Sequence, residues 1–430
     1  MPLSSAAGRL AELVRIATVS RPEGRDEPVF GAFRAALERL YPMVHAGLHW
    51  ETVGGGALLG RWAGGGGAPI VLMAHYDVVP ADRRQWRRDP FAGDVADGTV
   101  HGRGALDDKG ALVATLEAVE GLLAEGATPS GDVYLSFGHD EEIGGSGARA
   151  VAALLRDRGI RPGLVLDEGG AVIEGMLPAV RGRIAVIGVT EKGVATVRLT
   201  VSGAPGHAAL PPRHGAPGLL ARALIRIERR PFPARTGPVL RGMARALAPS
   251  LPRPVAALAA GPLLGPLVGL AGGAPAALAR TTVAVTGLAS GVAPNVLAAE
   301  ASALLNLRIV PGDSVSAAVA RLRRVVHDPR VTIEVLAGED PPPVSRADGP
   351  GWNRVVAALA AVFPAVPPVP YLMVQSSDSR HFASLCDAVY RFRPFPLSPA
   401  QLATIHGADE QVEVAALERA VAFYRALLTG

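Results

Sequence analysis

Residues Pro69–Ala74 read PIVLMA and are followed at once by His-Tyr-Asp at 75–77, and this stretch decides the fold. A continuous apolar run that ends in polar residues is typical of a buried parallel strand, whose carboxyl end carries functional side chains. Two further runs have the same character, Asp132–Gly138 (DVYLSFG) and Gly163–Leu166 (GLVL). Together they predict an α/β catalytic domain with a mostly parallel sheet and helices on both faces.

The sequence pattern changes after about residue 190. Val194–Ser202 (VATVRLTVS) and Ala301–Ile309 alternate apolar and polar residues, which is typical of half-exposed antiparallel strands. With a helix predicted over Ala216–Arg229, these segments indicate an inserted α+β lid domain. The predicted boundaries are 1–191 for the first part of the catalytic domain, 192–310 for the lid domain and 311–430 for the second part of the catalytic domain.

The remaining segments also follow helical or strand periodicity. They predict strands over Thr281–Thr286 and near Val331–Val335, and helices over 13–18, Glu27–Leu40, Gly110–Ala124, Val315–Val326, Gly351–Val362 and Val412–Leu428. Pro311–Gly312 is interpreted as the return from the lid domain to the catalytic domain.

The composition excludes several classes of protein. A chain of 430 residues with 49% hydrophobic and 19% charged residues is long enough for several domains and too apolar for global disorder. The net charge of +4 is spread along the chain, which gives little support to nucleic-acid binding. The single cysteine, Cys386, excludes an internal disulfide, a cysteine-rich zinc site and an iron–sulfur cluster.

The N-terminus does not resemble a secretory signal. Arg9, Glu12 and Arg15 interrupt its first apolar segment, and no uninterrupted hydrophobic run follows the initiator. This pattern predicts a cytoplasmic location.

One segment, Pro254–Ala279, carries no charged residue and is long enough to cross a bilayer. It contains four prolines and five glycines, and Gly261, Gly265 and Gly269 repeat at the GxxxG spacing. We interpret it as a buried or lid-like helical insertion and predict no transmembrane span. Contact with an acyl chain or a membrane surface is the main alternative.

Polar residues that suit a metal follow the first strand and precede a predicted helix. His75 lies two residues before Asp77, as expected for a metal ligand whose second ring nitrogen is held by a carboxylate. Asp107 and Asp108 lie in the Gly-rich turn GRGALDDKG, and paired carboxylates suit divalent cations. On their own, an ordinary polar contact for His75 and an N-cap role for Asp108 are equally good explanations.

Two acidic clusters and a distant histidine, His406, complete the set. Asp-Glu-Glu at 140–142 follows the DVYLSFG strand, and Asp-Glu at 167–168 follows the GLVL strand. Neighbouring carboxylates repel unless a cation offsets them, although a solvated acidic loop would also explain each cluster. Two metals that share one carboxylate, each with one histidine and one further carboxylate, would use the whole set. In such hydrolases a hydroxide held between the ions attacks a carbonyl, and a free carboxylate acts as general base.

These residues fall in motifs that resemble the dizinc aminoacylase/carboxypeptidase family, which includes acetylornithine deacetylase, succinyl-diaminopimelate desuccinylase and carboxypeptidase G. The motifs, in order, are HYDVVP (75–80), GRGALDDKG (102–110), HDEEIGG (139–145), LDEGG (166–170), SGAPGHAALPP (202–212) and TIHG (404–407). The resemblance covers nearly the whole chain.

The chain is more similar still to the branch of carboxypeptidase S and the N-fatty-acyl-amino-acid hydrolase/synthases. The segments that carry this likeness are IGVTEKG (187–193), RTTVAVTGLASGVAPNV (280–296), LNLRIVPGDS (305–314), SSDSRHF (376–382) and YRFRPFPLSPAQLATIHG (390–407). The branch implies hydrolysis of the amide bond of N-acyl amino acids, or of small peptides with a free carboxylate. The alternative is a non-catalytic descendant that binds a peptide or a metal.

The resemblance implies two zinc ions per subunit, for which cobalt or manganese could substitute. The implied ligands are His75 and Asp167 on one ion, Glu142 and His406 on the other, and Asp107 on both. Glu168 is the alternative to Asp167. The family also has a cis peptide after the bridging aspartate, here between Asp107 and Asp108.

The resemblance assigns further roles around the metals. Asp77 is expected to orient His75, and Glu141 to act as the general base. His207 resembles a lid histidine that stabilises the oxyanion, often from a partner subunit, so a homodimer through the lid domain is compatible with the sequence. Asn295 and Arg308 resemble residues that hold the carboxylate of a small-molecule or peptide substrate, although Arg308 could equally be a structural strand residue.

Overall fold

The computed structural model describes residues 5–175, 180 and 182–430, so the other residues of the predicted segment 1–191 lie outside it. The helices are α1 Ser5–Val14, α2 Glu27–Leu40, α3 Pro42–Gly47, α4 Lys109–Ala124, α5 Ser146–Asp157, α6 Ala216–Arg229, α7 Pro238–Leu247, α8 Arg253–Ala259, α9 Leu264–Leu270, α10 Gly273–Ala279, α11 Val315–Val326, α12 Pro350–Val362, α13 Pro399–Leu402 and α14 Val414–Thr429. The strands are β1 Ser20–Arg21, β2 Gly24–Arg25, β3 His49–Val53, β4 Ala57–Trp62, β5 Gly67–His75, β6 Asp94–Ala96, β7 Thr99–His101, β8 Gly131–Gly138, β9 Leu164–Asp167, β10 Ala171–Glu174, β11 Arg183–Glu191, β12 Gly193–Ser202, β13 Thr282–Ser290, β14 Glu300–Ile309, β15 Val331–Glu339, β16 Pro368–Met373, β17 Val389–Arg391, β18 Pro396–Leu397 and β19 Gln411–Glu413. Single 3-10 turns include Glu141–Ile143 and Asp378–Phe382.

The large sheet has ten strands in the order β18-β10-β11-β17-β9-β5-β8-β4-β3, with β16 paired to β11. Strands β17, β9, β5 and β8 are parallel neighbours in its centre. Strands β4 and β11 run antiparallel on either side of them, so antiparallel pairing is confined to the flanks. The parallel arrangement predicted from the apolar runs is therefore present where those runs lie.

Both faces of this sheet are covered by helices, as predicted. On one face, Leu72 of β5 packs in the core formed with α4, α12 and α14. On the other face, Val71 and Met73 of the same strand pack against α5 and the 3-10 turn Asp378–Phe382. Because successive side chains of a strand point to opposite faces, a strand covered on both sides must be apolar throughout, as PIVLMA is.

A second, four-stranded antiparallel sheet has the order β13-β14-β12-β15 and forms the α+β unit. It has its own core, in which α6 and α11 cover the sheet. This sheet extends beyond the predicted end of the unit at residue 310, because β15 pairs with β12 along Val331–Glu339. Pro311–Gly312 belongs to the turn between β14 and α11, and the lid unit continues to Glu339.

The segment between α6 and β13 also differs from the prediction. Helix α7 packs against β16 of the large sheet, and its residues Val239, Met243 and Leu247 belong to the core of the catalytic unit. The range 192–310 is therefore not a purely lid-type unit. The uncharged segment Pro254–Ala279 lies in α8, α9 and α10 and is only partly buried, since Gly265 and Ala276 are buried whereas Leu263 and Leu270 are exposed.

Within the described residues, no single helix is long and apolar enough to cross a membrane. The helix predicted over 13–18 is also wrong, because α1 ends at Val14. The chain leaves the helix there through a turn at Arg15 and a bend at Ile16, and Thr18 contacts the segment after β5: Val78 N–H donates to Thr18 O at 2.9 Å, and the Thr18 hydroxyl donates to the carbonyl of Tyr76. Pairing beside the end of β5 thus replaces the helix.

Candidate metal centre

The candidate site lies at the carboxyl edge of the parallel strands. Strand β5 ends at His75, which pairs with Gly138 at the end of β8, and β9 ends at Asp167. Because these strands are parallel neighbours, the residues that follow them meet at one edge. The acidic triplet at 140–142 follows β8 and forms a 3-10 turn there.

His75 is held by Asp77 on one side and faces Asp107 on the other. Its Nδ1 lies 3.0 Å from the carbonyl oxygen of Asp77 and 3.4 Å from carboxylate Oδ1 of the same residue. Its Nε2 lies 3.3 Å from Asp107 Oδ1. Although burial lowers it, the hydrogen bonds to these two aspartates raise the pKa of His75 well above its usual value.

Asp77 also shapes the acidic turn that carries Glu141 and Glu142. Its two carboxylate oxygens accept the backbone N–H groups of these residues, each at 3.2 Å, and Oδ2 accepts the Ser20 hydroxyl at 2.6 Å. One buried carboxylate thus fixes both the histidine at the end of β5 and the acidic turn after β8.

Asp107 joins both histidines of the cluster. Its Oδ2 lies 3.1 Å from His406 Nε2, and the same nitrogen lies 3.1 Å from Glu142 Oε2. Ligand atoms of His75, Asp107 and Glu142 all lie within 4.8 Å of one another. The hydrogen bonds to Asp107 and Glu142 raise the pKa of His406 to about 10, so this point of the site attracts positive charge strongly. The peptide bond from Asp107 to Asp108 is cis, as the resemblance implied.

A buried glutamate that the sequence analysis did not single out holds the loop of Asp107. Glu410 Oε1 accepts the N–H groups of Leu106 and Asp107 at 2.8 and 2.9 Å. Its Oε2 accepts Gly104 N–H at 3.1 Å and the Arg103 guanidinium at 2.5 Å. Since Glu410 follows His406 by only four residues, it ties the loop of one ligand to the segment of another.

Arg393 is a second residue that the sequence analysis missed. Its buried guanidinium lies 3.2 Å from Asp107 Oδ1, 3.4 Å from Asp108 Oδ1 and 3.2 Å from Glu168 Oε2. Asp167 has different partners, since its Oδ2 accepts Ser379 N–H at 2.8 Å. The two adjacent acids after β9 therefore have distinct surroundings, one paired with a guanidinium and the other with backbone amides.

The site holds more negative charge than its own cations offset. The carboxylates that converge there are Asp77, Asp107, Asp108, Glu141, Glu142, Asp167, Glu168 and Asp378. Burial raises the pKa of Glu141 well above its usual value, and Asp378 and Glu168 raise it further against the opposing effect of His75. Buried carboxylates at this density are stabilised by divalent cations, and imidazole nitrogens with carboxylate oxygens are ligands that zinc accepts. The described residues fit a divalent metal centre.

The lid residues singled out in the sequence lie apart from this cluster. His207 and Asn295 are exposed on neighbouring loops, where Ala208 N–H donates to Asn295 O at 3.1 Å. Arg308 projects from β14 and is half-buried, and one of its nitrogens lies 3.3 Å from Ser376 Oγ. Burial lowers the pKa of Arg308. Because Ser376 precedes the turn whose Ser379 binds Asp167, Arg308 reaches the rim of the metal site.

The turn Asp378–Phe382 contributes a buried carboxylate to the candidate metal site, a role that the sequence did not indicate. Asp378 is buried against the acidic turn after β8, and a Cβ atom added to Gly145 would lie 1.9 Å from Asp378 Oδ1. The motif SSDSRHF is visible in the sequence, but a capped helix would explain its residues without any role at the site.

Histidines and carboxylates that share Asp107 at the carboxyl edge of an α/β sheet define a class, the metal-dependent amidohydrolases and peptidases. The profile of peptidase family M20/M25/M40 matches residues 71–430. The chain belongs to this family.

Curated relatives match over most of their length. The N-fatty-acyl-amino acid synthase/hydrolase PM20D1 of Xenopus tropicalis is 34% identical over 96% of this chain and 83% of the relative. Its human counterpart is 37% identical over 83% of this chain and 72% of the relative. The probable carboxypeptidase S-like 2 of Dictyostelium discoideum is 34% identical over 98% of this chain and 84% of the relative.

Solved structures share the fold at low sequence identity. The M20 family metallo-carboxypeptidase Sso-CP2 of Sulfolobus solfataricus has a TM-score of 0.75 and 15% identity, over 99% of both chains. Human carnosine dipeptidase 1 has a TM-score of 0.67 and 16% identity, over 98% of this chain and 96% of that one. These likenesses confirm the predicted architecture of a catalytic unit with an inserted lid.

Proposed function

We propose that this chain hydrolyses the amide bond of N-acyl amino acids at a site that holds two zinc ions. The proposed ligands are His75 and Asp167 on one ion, Glu142 and His406 on the other, and Asp107 on both. The observation that carries the proposal is the position of Asp107, whose two oxygens face different histidines at 3.3 and 3.1 Å. A carboxylate between two imidazoles is the arrangement that a bridging ligand requires.

The chemistry divides between the ions and the side chains of the chain. When bound, such ions act as Lewis acids that polarise a carbonyl oxygen and lower the pKa of water. Glu141 remains outside the proposed ligand set, and we assign it the general-base role: it takes a proton from the attacking water and returns it to the leaving amide nitrogen. Asp77 holds the ring of His75 and the backbone of Glu141, so it fixes the position of the proposed ligand relative to the proposed general base.

The lid side chains are assigned to substrate binding. Arg308 reaches Ser376 at the rim of the site, and a guanidinium pairs well with a substrate carboxylate. We assign Asn295 to the same carboxylate and His207 to the oxyanion. Since His207 and Asn295 are exposed here, their roles require a rearrangement of the lid or a second subunit.

A homodimer through the lid is part of this proposal. Strand β13 is an edge of the lid sheet and exposes Leu288, and the following loop exposes Val292. An exposed apolar edge strand favours pairing with another chain. Light scattering of the purified protein is expected to give a mass of two chains. The Leu288→Asp variant is expected to have the mass of a single chain.

The test of the proposed reaction combines activity with metal analysis on one sample. We expect hydrolysis of N-fatty-acyl amino acids, because relatives that match nearly the whole chain carry that name. A carboxypeptidase S of Saccharomyces cerevisiae that is 28% identical makes dipeptides with a free carboxylate the second class to assay. Two zinc equivalents with no hydrolysis of either class would contradict the proposal.

The general base has a sharper test. Glu141→Gln is expected to keep the fold and the metal content but to lower turnover at least about 100-fold, the usual effect of a positioned acid–base group. Glu228→Gln, which changes an exposed carboxylate on α6, is the matched control. Near wild-type turnover of the metal-loaded Glu141 variant would remove this residue from the mechanism.

A further inference from the structure

The outer side of α8 and α9 exposes an unusual number of large apolar side chains. This leucine surface consists of Val255 (37% exposed), Leu258 (54%), Leu263 (61%), Leu267 (40%) and Leu270 (81%). Single exposed apolar residues are common, but five of them within residues 255–270 mark a place where something apolar binds.

Helix α9 is oriented so that Leu267 and Leu270 lie on its exposed side. Gly265 and Gly269 form the face that packs inward: a Cβ atom on Gly265 would lie 2.2 Å from the backbone of Arg235, and one on Gly269 would lie 2.4 Å from Ala234. Gly265 N–H donates to Thr236 Oγ1 at 2.8 Å, which fixes the helix in that orientation. In an ordinary amphipathic helix the leucines face the core, whereas here Leu267 and Leu270 face outward.

The charge around the leucine surface has one sign. Between Glu228 and Glu300 the sequence contains no acidic residue. Arg253 begins α8 and is exposed, and Arg241 and Arg245 are exposed on α7, against which α8 packs. An apolar patch flanked by arginines complements a surface that is apolar inside and negatively charged at its boundary.

The geometry of α8 and α9 suits helices that lie on such a surface better than helices that cross it. The helices α8 and α9 meet at an angle of 104°. Each has seven residues and is therefore about 10 Å long, which is far short of the roughly 30 Å hydrocarbon core of a bilayer.

From these observations we propose that the leucine surface docks on anionic lipid bilayers, with its leucines at the acyl boundary and the flanking arginines on the headgroups. A second copy of the chain is a poorer partner for this face. A symmetric dimer through this face would bring together the arginines of both copies, Arg241, Arg245 and Arg253. The stretch between Glu228 and Glu300 offers no acidic residue to pair with them.

The experiment is co-flotation of the purified full chain with two kinds of vesicle, phosphatidylcholine alone and phosphatidylcholine mixed with phosphatidylglycerol. We expect the protein to float with the anionic vesicles and to remain largely unbound with the neutral ones. The variant Leu263→Ser/Leu267→Ser/Leu270→Ser is expected to lose at least tenfold in partitioning. Arg245→Glu/Arg253→Glu is expected to lose the preference for anionic lipid.

The matched control replaces three exposed apolar residues that lie elsewhere, Met43→Ser/Ile225→Ser/Val344→Ser, with exposures of 42%, 46% and 38%. It is expected to float like the wild type, and thermal unfolding checks that all variants are folded. Wild-type protein that floats with neither vesicle, or equally with both, would overturn the proposal. So would a leucine variant that changes the oligomeric mass and leaves flotation unchanged, since a second copy would then cover the surface.

Discussion

At the scale of single residues, Glu410 is expected to position a metal ligand through the backbone, because its carboxylate accepts the N–H group of the proposed ligand Asp107. Its Oε1 accepts two N–H groups, from Leu106 and Asp107. Glu410→Gln would place an amide donor against backbone donors on one side of the carboxyl group, and an unsatisfied buried donor costs about 1–3 kcal/mol. We expect metal affinity to fall tenfold or more, measured by competition with a chelator.

Glu413→Gln is the control for this prediction, because Glu413 is an exposed carboxylate three residues further along. If Glu410→Gln binds metal as tightly as the wild type while only stability falls, Glu410 has a structural role and does not position the ligand.

The choice between Asp167 and Glu168 is also a question of single residues. The Glu168 carboxylate is paired with Arg393, whereas Asp167 accepts backbone N–H groups that leave some of its lone pairs free for a metal. Asp167→Asn is therefore expected to lose about one metal equivalent of two, and Glu168→Gln to keep both. Metal analysis decides, and the opposite pattern would transfer the ligand role to Glu168.

Local sequence was enough to find His75, Asp107 and Glu142, since each follows a strand or precedes a helix in a recognisable pattern. It was not enough for Glu410 and Arg393. Glu410 acts on backbone amides about three hundred positions away, and Arg393 on carboxylates almost as distant, so no local spacing announces either role.

At the scale of elements, the two glycines of α9 test how the leucine surface is held outward. Gly265→Ala and Gly269→Ala would drive a Cβ into Arg235 and Ala234, and such overpacking costs about 1–3 kcal/mol. Amides of α9 are then expected to exchange with solvent faster. Gly218→Ala on α6, where a Cβ meets open space, is expected to be neutral or slightly stabilising. Unchanged exchange in α9 would mean that the helix is not packed through its glycine face.

A second element-scale prediction concerns the crossing from β11 to β12, where Lys192 is buried. Burial, with a contribution from the charge of Arg308, lowers the pKa of Lys192 from 10.5 to about 7. Between these values the unfolded chain binds a proton that the folded chain does not, so the free energy of unfolding rises with pH. Below pH 7 Lys192 is protonated in both the folded and the unfolded chain, so it no longer makes the free energy of unfolding depend on pH.

Lys192→Met is expected to remove the part of this rise that Lys192 contributes, as measured by urea unfolding at two pH values inside the window; buried Lys109, whose pKa is also lowered to about 7, keeps its own contribution. Lys192→Arg, which stays charged throughout, is expected to lack that part of the rise as well and to be less stable at both pH values. The same pH dependence in Lys192→Met and wild type would show that another group titrates there.

Elements with strong periodicity were predicted to within a residue, among them α2, α6 and α11. The failures have one physical cause, which is that local pattern does not say which partner an element meets. The strand near Val331–Val335 was predicted, but only its pairing with β12 assigns it to the lid. The segment 13–18 looked helical, but α1 ends at Val14, and Thr18 bonds instead to Tyr76 and Val78 beside β5.

At the scale of the whole molecule, the described residues form separate hydrophobic cores for the large sheet and for the lid sheet. The large sheet packs between two layers of buried side chains, and the lid sheet has its own core with α6 and α11. His75, Glu142 and Asp167 lie at or just after strand ends of the large sheet, and Asp107 and His406 lie in loops next to the three-stranded sheet β19-β7-β6, so the proposed metal ligands all lie outside the lid sheet. Stabilisation by metal should therefore reach the catalytic unit directly, and the lid only through the chain crossings between β11 and β12 and after β15 and through side-chain contacts such as Arg308–Ser376 and Arg149–Glu339.

Removal of the metal tests this division. A ligand present at a thousand times its dissociation constant stabilises the folded state by about 4 kcal/mol, so chelation should destabilise the catalytic unit by a similar amount. Hydrogen exchange after dialysis against a chelator is expected to accelerate in α4 and β8, next to Asp107 and the acidic turn, and to stay unchanged in α6 and α11. Addition of zinc should restore the slow exchange. If α6 and α11 lose protection to the same extent as α4, the two cores unfold as one cooperative unit, and metal binding stabilises the lid as strongly as the site itself.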